Sequence, residues 1–453
     1  MATQNSFNYI VIGSGPAGRT AAFKLAKARK RVAIVDGQNP SGTDCNRDIP
    51  YLVSLNFAHN YHQMSNFPAF SGQDLHYNFP TLVSHQEHIS SVINAENQHK
   101  LQSAGVTLIP GNANFIDNKT IAVGNQQYIA NNFIIATGAK LKVTGISGLD
   151  SVNHLTPTTA LKIRRLPKYV FVVGGGPTGC EIAEYYAELG AKVIIMERSS
   201  SLLPREDKEV GACIKDYFEN ELGIMVVTNA KVVALEQDNI SKRVIFITSG
   251  QEKFVRVDCI ILATGSEPSL DLGLENAGVD YKHTGITVNK YFQTSTKNIY
   301  AIGDAIGTLD SSTERAKYQA SILVSNIIHK AKSTANYNGF IRTVNTFPEV
   351  ATIGLNDRDL LERDRKCRRA IVQLSDFSAN QINELEYGFI KLMADNNEHI
   401  IGATIVAPNA TLIAEELAII IRHRISASNL AGTPHPTFSY NQAIKIAARK
   451  FIR

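Results

Sequence analysis

The 453-residue sequence predicts an α/β fold class, with two doubly wound parallel-sheet units and a C-terminal α+β domain. Two observations predict it. A pattern of apolar strand, glycine-rich turn, helix and second strand occurs twice, about 160 residues apart. Beyond residue 340 the pattern changes to the apolar alternation of an antiparallel sheet. At roughly 150 residues per domain, the length suits about three domains.

The first copy begins with a strand, Tyr9–Ile12, which continues into the turn Gly13-Ser-Gly-Pro-Ala-Gly18. A helix is expected from about Arg19 to Ala28. A second strand, Arg31–Val35, ends in Asp36. This order of elements around a glycine-rich turn is typical of a βαβ unit.

The second copy repeats the same order of elements. The strand Tyr169–Val173 precedes the turn Gly174-Gly-Gly-Pro-Thr-Gly179, and a helix is expected from Cys180 to Leu189. The strand Lys192–Met196 then ends in Glu197. One glycine turn is weak evidence, but two copies in the same register indicate two Rossmann-like dinucleotide-binding domains.

Each glycine of the turn has its own predicted role. The first makes the tight turn, the second lets the backbone approach a pyrophosphate, and the third lets helix and strand pack closely. In chain order these are Gly13, Gly15 and Gly18 in the first copy and Gly174, Gly176 and Gly179 in the second. The pyrophosphate would lie at the N-terminus of the helix, where unpaired N–H groups favour an anion.

An acidic residue follows the third glycine by 18 residues in both copies, Asp36 in the first and Glu197 in the second. Such a carboxylate is placed to accept hydrogen bonds from a ribose 2′-hydroxyl, and it repels a 2′-phosphate. The second site is therefore expected to prefer NAD(H), although Arg198 beside Glu197 leaves NADP(H) possible.

The remaining segments complete the prediction. Helical spacing runs from Phe79 until Gly105, and two Ala-Thr-Gly segments close the units, with Thr137-Gly138 in the first and Gly265 in the second. Apolar alternation at 350–353, 388–393 and 400–406 predicts an antiparallel sheet, with helices at 409–421 and 440–451.

Composition and charge exclude several classes of protein. Apolar residues make up 44% and charged residues 19%, as in ordinary globular proteins. The net charge of +5 is too small to indicate a nucleic-acid partner. The polar start is unlike a signal peptide, and no apolar run reaches the roughly 18 residues of a membrane span. Five widely spaced cysteines indicate free thiols in a reducing compartment, so we expect a cytoplasmic protein.

Further motifs extend the pattern over nearly the whole chain. They are Thr296-Lys-Asn-Ile-Tyr-Ala-Ile-Gly-Asp304-Ala, Phe347-Pro-Glu-Val-Ala-Thr-Ile-Gly354, Gly388-Phe-Ile-Lys-Leu392 and His435-Pro-Thr-Phe-Ser-Tyr440. With the two glycine turns, this ordered set resembles the pyridine nucleotide–disulfide oxidoreductases, a family that includes dihydrolipoamide dehydrogenase, glutathione reductase, mercuric reductase and soluble transhydrogenase.

The resemblance implies FAD at the N-terminal site, with Asp304 on the ribitol, and NAD(P)H at the second site. It implies an FAD domain at 1–144 and 273–337, an NAD(P) domain at 145–272 and a dimerisation domain at 338–453. It also implies a homodimer in which the C-terminal segment completes the partner's active site. Glu181 matches a family acid near the flavin and nicotinamide, although a plain acid near a helix N-terminus would look the same.

The chain departs from the family at the redox-active dithiol. The disulfide enzymes carry Gly-Gly-Thr-Cys-x-Asn-x-Gly-Cys-Ile-Pro-Ser-Lys, whereas this chain reads Ser41-Gly-Thr-Asp-Cys-Asn-Arg-Asp-Ile-Pro-Tyr-Leu52. In that register Asp44 and Asp48 replace the two cysteines, Cys45 lies one position out of step, and Leu52 replaces a lysine near the flavin. Because a second thiol must resolve a mixed disulfide, ordinary disulfide reduction is expected to be lost.

The proton carrier of the resemblance is also altered. The family pairs a histidine with a glutamate five residues later; here His435 remains and Tyr440 replaces the acid. A tyrosine cannot give an imidazolium a full countercharge, so general acid–base power is expected to fall. His59-x-x-His62 and His85-x-x-His88 have a spacing that suits a metal, but no cysteine or acid completes either set in sequence, so no metal is expected.

Three functions remain open at this point. The first is an FAD-dependent NAD(P)H oxidoreductase whose small-molecule acceptor, such as a quinone, oxygen or a pyridine nucleotide, needs no dithiol relay. The second is a disulfide reductase of the dihydrolipoamide dehydrogenase type that uses Cys45 and His435. The third is a non-catalytic flavoprotein that binds nucleotide.

Overall fold

The computed structural model describes residues 5–37, 48–70, 75–142, 145–238, 241–307, 312–377 and 386–452. Two positions of the expected dithiol segment, Asp44 and Cys45, lie outside these ranges, so the predicted catalytic role of Cys45 stays a prediction. Asp48 lies inside them.

Strands run through the whole described chain. In chain order they are β1 (Ser6–Ile12), β2 (Val32–Asp36), β3 (Thr107–Pro110), β4 (Ala113–Asp117), β5 (Thr120–Val123), β6 (Gln126–Ile135), β7 (Ala139–Leu141), β8 (Tyr169–Val173), β9 (Lys192–Met196), β10 (Met225–Val227), β11 (Ala230–Gln237), β12 (Lys242–Thr248), β13 (Gln251–Val257), β14 (Cys259–Leu262), β15 (Ser266–Pro268), β16 (Tyr281–Lys282), β17 (Gly285–Ile286), β18 (Ile299–Ala301), β19 (Ile341–Val344), β20 (Glu349–Gly354), β21 (Arg368–Gln373), β22 (Phe389–Ala394) and β23 (Ile400–Ala407).

The helices separate and cover these strands. They are α1 (Pro16–Lys27), α2 (Ile49–Asn66), α3 (Phe79–Ser103), α4 (Pro157–Ala160), α5 (Pro177–Glu188), α6 (Lys208–Asn220), α7 (Thr313–His329), α8 (Asp357–Glu362), α9 (Ala410–Arg422), α10 (Ala427–Gly432) and α11 (Asn441–Arg449). Short 3₁₀ helices occur at Pro68–Phe70, Leu149–Ser151, Leu274–Ala277 and Gly303–Ile306.

The chain divides into two compact units. The first unit comprises the described residues within 1–53, 81–142 and 266–336, and the second unit comprises those within 54–80, 143–265 and 337–453. Each unit contains one of the two glycine-rich turns.

The first unit contains a sheet in the order β3-β2-β1-β6-β5-β4, with β18 also paired to β6. The pairs β1–β2, β2–β3, β1–β6 and β6–β18 are parallel, whereas β4 and β5 are antiparallel. Side chains on both faces of β1 are buried: Val11 packs with α1, α3 and α7, and Ile10 and Ile12 face a second core. Burial on both faces explains the continuous apolar run of β1.

The second unit contains three sheets. A parallel sheet has the order β10-β9-β8-β14, an antiparallel sheet comprises β11-β12-β13, and a five-stranded antiparallel sheet has the order β19-β20-β23-β22-β21. The apolar faces of α9 and α11 pack on this last sheet through residues such as Leu417 and Ile444. The predicted fold class, with its parallel sheets and C-terminal α+β domain, is confirmed.

The helix starts differ from the prediction in a regular way. Both glycine-turn helices begin three residues earlier than expected, at Pro16 and at Pro177. Proline at the first helical position has the required φ and lacks only an N–H that the helix leaves unpaired there. Helix α2 was not predicted, because its polar residues hide a narrow buried stripe formed by Tyr51, Leu55 and Ala58.

Candidate functional site

The first glycine-rich turn lies at the carboxyl end of β1, where the strand order of the sheet reverses. Gly13 has φ +103°, and a Cβ added there would lie 2.3 Å from the carbonyl oxygen of Ala136. A Cβ on Gly18 would lie 1.9 Å from the carbonyl oxygen of Gly13. A Cβ on Gly15, in contrast, meets no atom within 4 Å. Two glycines thus permit close packing, and the middle one faces open space.

The second turn has the same construction. Gly174 has φ +110°, and its added Cβ would lie 2.4 Å from the carbonyl oxygen of Ala263. A Cβ on Gly179 would lie 1.9 Å from the Gly174 oxygen, and a Cβ on Gly176 meets nothing within 4 Å. The structure therefore leaves room beside the same glycine in both units, where a pyrophosphate was predicted.

Each turn leads into a helix whose first N–H groups lack a side-chain cap. Gly15 and Gly176 occupy the N-cap positions of α1 and α5, and neither helix has an acidic residue in its first turn. The N–H groups and the positive end of the helix dipole thus face the space beside the middle glycine. This arrangement suits a phosphate.

The two predicted ribose acids lie at the carboxyl ends of their strands, as expected. Asp36 Oδ2 accepts hydrogen bonds from the N–H and the hydroxyl of Ser14, at 2.8 and 2.5 Å. Glu197 is buried, and its two oxygens accept from the N–H groups of Gly175 at 2.7 Å and Ser199 at 2.8 Å. Each carboxylate therefore fixes the shape of its glycine turn.

The two Ala-Thr-Gly segments lie beside these turns. Thr137 Oγ1 donates to the carbonyl oxygen of Ser269 at 2.8 Å. Gly138 and Gly265 have φ values of +68° and +90°, and a Cβ on either would meet no atom within 4 Å. Positive φ explains why glycine ends both segments.

Asp304 lies in the 3₁₀ helix Gly303–Ile306 of the first unit. The N–H of Gly303 donates to Oε1 of the fully buried Gln319 at 2.7 Å, and a Cβ on Gly303 would lie 3.5 Å from Cβ of Ala17. Asp304 is thus held near the start of α1. The contribution of Gln319, on α7, could not be predicted because it is a contact between distant parts of the sequence.

Glu181 is one of three buried carboxylates on one face of α5. Its Oε1 accepts from the backbone N–H of Asn345 at 2.7 Å and from the side-chain amide at 3.0 Å. Glu184 accepts from the N–H of Phe347 at 2.8 Å, and Glu188 lies 2.9 Å from Nδ1 of His59. Glu181 is therefore bonded to both the backbone and the side-chain amide of Asn345.

Burial affects the pKa of two of these carboxyl groups, Glu184 and Glu188. Burial, and next the charge of Glu188, raises the pKa of Glu184 well above its usual value. Burial likewise raises the pKa of Glu188, although the hydrogen bond from His59 opposes the shift. This pairing also explains His59, the first histidine of one His-x-x-His motif, without a metal.

The four cysteines within the described ranges are free thiols. Cys180 is fully buried, and its Sγ donates to the carbonyl oxygen of Gly175 at 3.4 Å. Burial raises the pKa of Cys180 well above its usual value and the pKa of both Cys213 and Cys259 to about 11. Since the thiolate is the nucleophile, these three thiols are poorly suited to disulfide chemistry.

His435 has a carboxylate partner that the sequence did not indicate. Its Nε2 lies 2.9 Å from Oε1 of Glu416, on α9, and its Nδ1 lies 3.0 Å from the carbonyl oxygen of Thr433. Tyr440, at the position of the family acid, is the N-cap residue of α11 and packs against the core of the C-terminal sheet. Glu416, rather than Tyr440, is therefore a carboxylate that faces the imidazole, and the expected fall in general acid–base power stays a prediction.

A second acidic cluster has an internal cation. Carboxylate oxygens of Asp207, Glu209 and Asp357 lie within 4.8 Å of one another. The fully buried Lys391 ammonium lies 3.1 Å from Asp207 and 3.1 Å from Glu209, and it also bonds to Asp357. This ammonium occupies the position that a metal would need.

Across the described ranges, no helix is both long and apolar enough to cross a membrane.

Comparison with protein families gives two matches. The family described as pyridine nucleotide–disulphide oxidoreductase matches residues 7–322, and its dimerisation domain matches residues 341–448.

Individual relatives match over nearly the whole chain. A dihydrolipoyl dehydrogenase of Staphylococcus aureus is 30% identical over 98% of this chain and 96% of its own length. A mercuric reductase of Staphylococcus aureus is 28% identical over 98% of this chain and 82% of its own length. Among solved structures, the flavoprotein disulfide reductase RclA of Escherichia coli has a TM-score of 0.88 at 23% identity, covering 99% of this chain and all of its own. The last likeness concerns the fold.

Proposed function

Because the chain belongs to the pyridine nucleotide–disulphide oxidoreductase family, we propose that it oxidises NADH through FAD and reduces an acceptor that needs no dithiol relay. The family and its relatives are FAD-dependent NAD(P)H oxidoreductases, and this chain is an enzyme of that class. The nucleotide at each site, the residues that bind it and the acceptor are assigned below as proposals.

We assign FAD to the turn of the first unit. Gly15 leaves open space at the N-terminus of α1, where the pyrophosphate would accept backbone hydrogen bonds. The Asp36 carboxylate would accept hydrogen bonds from the ribose hydroxyls, and the Asp304 carboxylate would accept them from the ribitol hydroxyls. Both are charge-assisted hydrogen bonds. The residues thus fit a dinucleotide, and Gly13, Gly18, Thr137 and Gly138 shape the same place.

We assign NADH to the turn of the second unit. Gly176 would receive the pyrophosphate and Glu197 the adenosine ribose, with Gly174, Gly179 and Gly265 shaping the site. The carboxylate of Glu197 is fixed by two backbone N–H groups, so a 2′-phosphate would meet a rigid negative charge. This geometry favours NADH over NADPH.

The choice of acceptor rests on the register of residues 41–52, in which the carboxylate of Asp48 would replace the second thiol of the family motif. Asp48 precedes α2 directly, and its Oδ2 accepts a hydrogen bond from Thr313 Oγ1 at 3.1 Å. A carboxylate cannot form or resolve a disulfide. Among the described cysteines, Cys180, Cys213 and Cys259 have raised pKa values, so none of these three offers a ready thiolate.

When bound, FAD supplies hydride acceptance from the nicotinamide and onward transfer of electrons to the acceptor. Glu181, fixed by Asn345, would position the nicotinamide end of the nucleotide. His435 would donate the proton that a quinone or similar acceptor takes up with its electrons. The match of residues 341–448 to a dimerisation domain supports a homodimer.

The test is an anaerobic titration of the purified holoenzyme with NADH, followed by a panel of acceptors. We expect the flavin absorbance to bleach, with turnover on quinones or another thiol-free acceptor and none on lipoamide or glutathione disulfide. Rapid lipoamide turnover would contradict the proposal, as would a flavin that stays oxidised under excess NADH.

A second candidate is disulfide reduction through Cys45, and the His435–Glu416 pair favours it because an imidazole with a carboxylate partner suits thiol chemistry. A Cys45→Ser variant separates the two functions. Unchanged turnover of the preferred acceptor removes the thiol from the mechanism, whereas loss of turnover supports the second candidate. Cys367→Ser, which changes a half-buried thiol of the second unit, is the matched control.

A further inference from the structure

Glu416 binds both ends of the segment that carries His435. Its Oε1 lies 2.9 Å from Nε2 of His435, and its Oε2 accepts from the amide of Asn441 at 2.7 Å. One carboxylate therefore joins helix α9 to the segment that enters α11. The His435 side chain is only 6% exposed, whereas the Glu416 side chain is 29% exposed.

The position of Glu416 is fixed by the helix that bears it. Its neighbours on α9, Ile413 and Leu417, are buried in the core of the C-terminal sheet, together with Ile444 of α11. Both helices are thus held by the same apolar core, and the carboxylate lies between them. A side chain supported in this way keeps its geometry better than one on a loop.

Both ring nitrogens of His435 face an oxygen atom. Nδ1 faces the carbonyl oxygen of Thr433, which can only accept, and Nε2 faces the Glu416 carboxylate. A neutral imidazole carries one N–H, so it can satisfy only one of these acceptors. Whichever nitrogen carries the proton, the ring is held on both edges, by Glu416 and by the Thr433 carbonyl.

We propose that Glu416 is the positioning residue that holds the His435 imidazole, the role that the family gives to an acid at the position of Tyr440. The acid lies 19 residues before the histidine, on a different helix, whereas the family places it five residues after. Tyr440 instead caps α11 and packs on the core. The chain therefore keeps the imidazole–carboxylate pair and changes the residue that supplies the carboxylate.

The test is the rate at which diethyl pyrocarbonate modifies His435 in the holoenzyme, followed by peptide mass spectrometry. The reagent attacks an accessible, unprotonated ring nitrogen, so a ring held between Glu416 and Thr433 is expected to react slowly. Glu416→Gln keeps the shape and removes the charge, and it is expected to speed the modification about tenfold, the effect of losing one charge-assisted hydrogen bond. Glu416→Asp is expected to restore much of the protection.

Two matched controls are Glu415→Gln and Tyr440→Phe. Glu415 is the adjacent exposed carboxylate on the same helix. In both control variants, His435 is expected to react with diethyl pyrocarbonate at the rate of the parent enzyme. His399, directly before β23 and 3.6 Å from Asp395, serves as an internal reporter. Faster modification of His435 with His399 unchanged supports the proposal, whereas equal acceleration of both shows a general loosening of the domain and overturns it.

The proposal is also overturned if Tyr440→Phe exposes His435 and Glu416→Gln does not. The inference about Glu416 rests on the proposed function, in which His435 is the proton carrier. The assay uses neither NADH nor an acceptor, so it gives a result even if the flavin is not reduced by NADH.

Discussion

A pair of alanine substitutions in the second glycine turn separates nucleotide binding from folding. At Gly176 the backbone is extended, with φ −75°, and an added Cβ meets no protein atom within 4 Å. Gly176→Ala is therefore expected to change the free energy of unfolding by less than about 0.5 kcal/mol. At Gly179 an added Cβ would lie 1.9 Å from the Gly174 oxygen, so Gly179→Ala must move backbone. Overpacking of this kind costs about 1–3 kcal/mol.

Gly176→Ala, the variant expected to leave stability nearly unchanged, is the one expected to weaken nucleotide binding. A methyl group on residue 176 fills the space in which the pyrophosphate would meet the helix N–H groups. The loss of such a charge-assisted hydrogen bond costs about 1.5–3 kcal/mol, so we expect NAD⁺ to bind Gly176→Ala about ten- to a hundredfold more weakly.

Calorimetric titration with NAD⁺ measures the binding, and thermal unfolding followed by circular dichroism measures the stability. Gly190→Ala is not a suitable control, because its φ of +96° strains any side chain. Ala191→Gly, next to it and outside the turn, changes the same methyl group without touching the site. If Gly176→Ala melts like the parent and binds NAD⁺ equally well, the pyrophosphate does not approach this glycine and the assignment of the second site is wrong.

Three further predictions follow from the buried charges. Lys391→Met leaves buried carboxylates without their cation and is expected to lower the free energy of unfolding by about 3–5 kcal/mol in urea titrations, whereas Lys208→Met, at the exposed start of α6, changes little. Burial by itself raises the pKa of Asp357, but hydrogen bonds from Lys391 and Arg369 hold that pKa below its usual 3.8. The stabilisation by the Asp357 carboxylate is therefore complete above pH 3.8 and is lost as the pH falls through its lower pKa in the folded protein. The free energy of unfolding, measured by urea titrations from about pH 5 to pH 2, should decrease with falling pH, and Asp357→Asn should reduce that slope. Glu197→Gln removes the charge that repels a 2′-phosphate, so the ratio of kcat/KM for NADPH to that for NADH should rise about tenfold in steady-state assays; an unchanged ratio would show that Glu197 does not discriminate.

The sequence predicted those parts of the site that depend on local geometry. A tight turn with positive φ at Gly13 or Gly174 requires glycine, and the following helix begins at a proline, so the whole motif can be read from a few adjacent residues. The C-terminal strands could be placed from their apolar residues, although the structure buries β22 and nearly all of β23 on both faces instead of alternating.

The contacts that complete the site join distant residues, and no local pattern indicates them. Glu181 and Asn345 are 164 positions apart, and Gly303 and Gln319 are 16 apart on different elements. Glu416 reads in sequence as one of two adjacent acids on an amphipathic helix; only the packing of α9 against α11 distinguishes it from Glu415. The helix α2 was missed because histidines and asparagines, five of its 18 residues, interrupt its apolar pattern.

The central claim, that electrons leave the flavin without a dithiol, is tested most directly by counting reducing equivalents in an anaerobic NADH titration. A flavin with a redox-active disulfide takes up two equivalents of NADH and passes through a long-wavelength charge-transfer band, because the disulfide accepts the first pair of electrons. We expect full bleaching after a single equivalent of NADH per flavin and no such band. Uptake of a second equivalent, with the band present in the parent and absent in Cys45→Ser, would contradict the account.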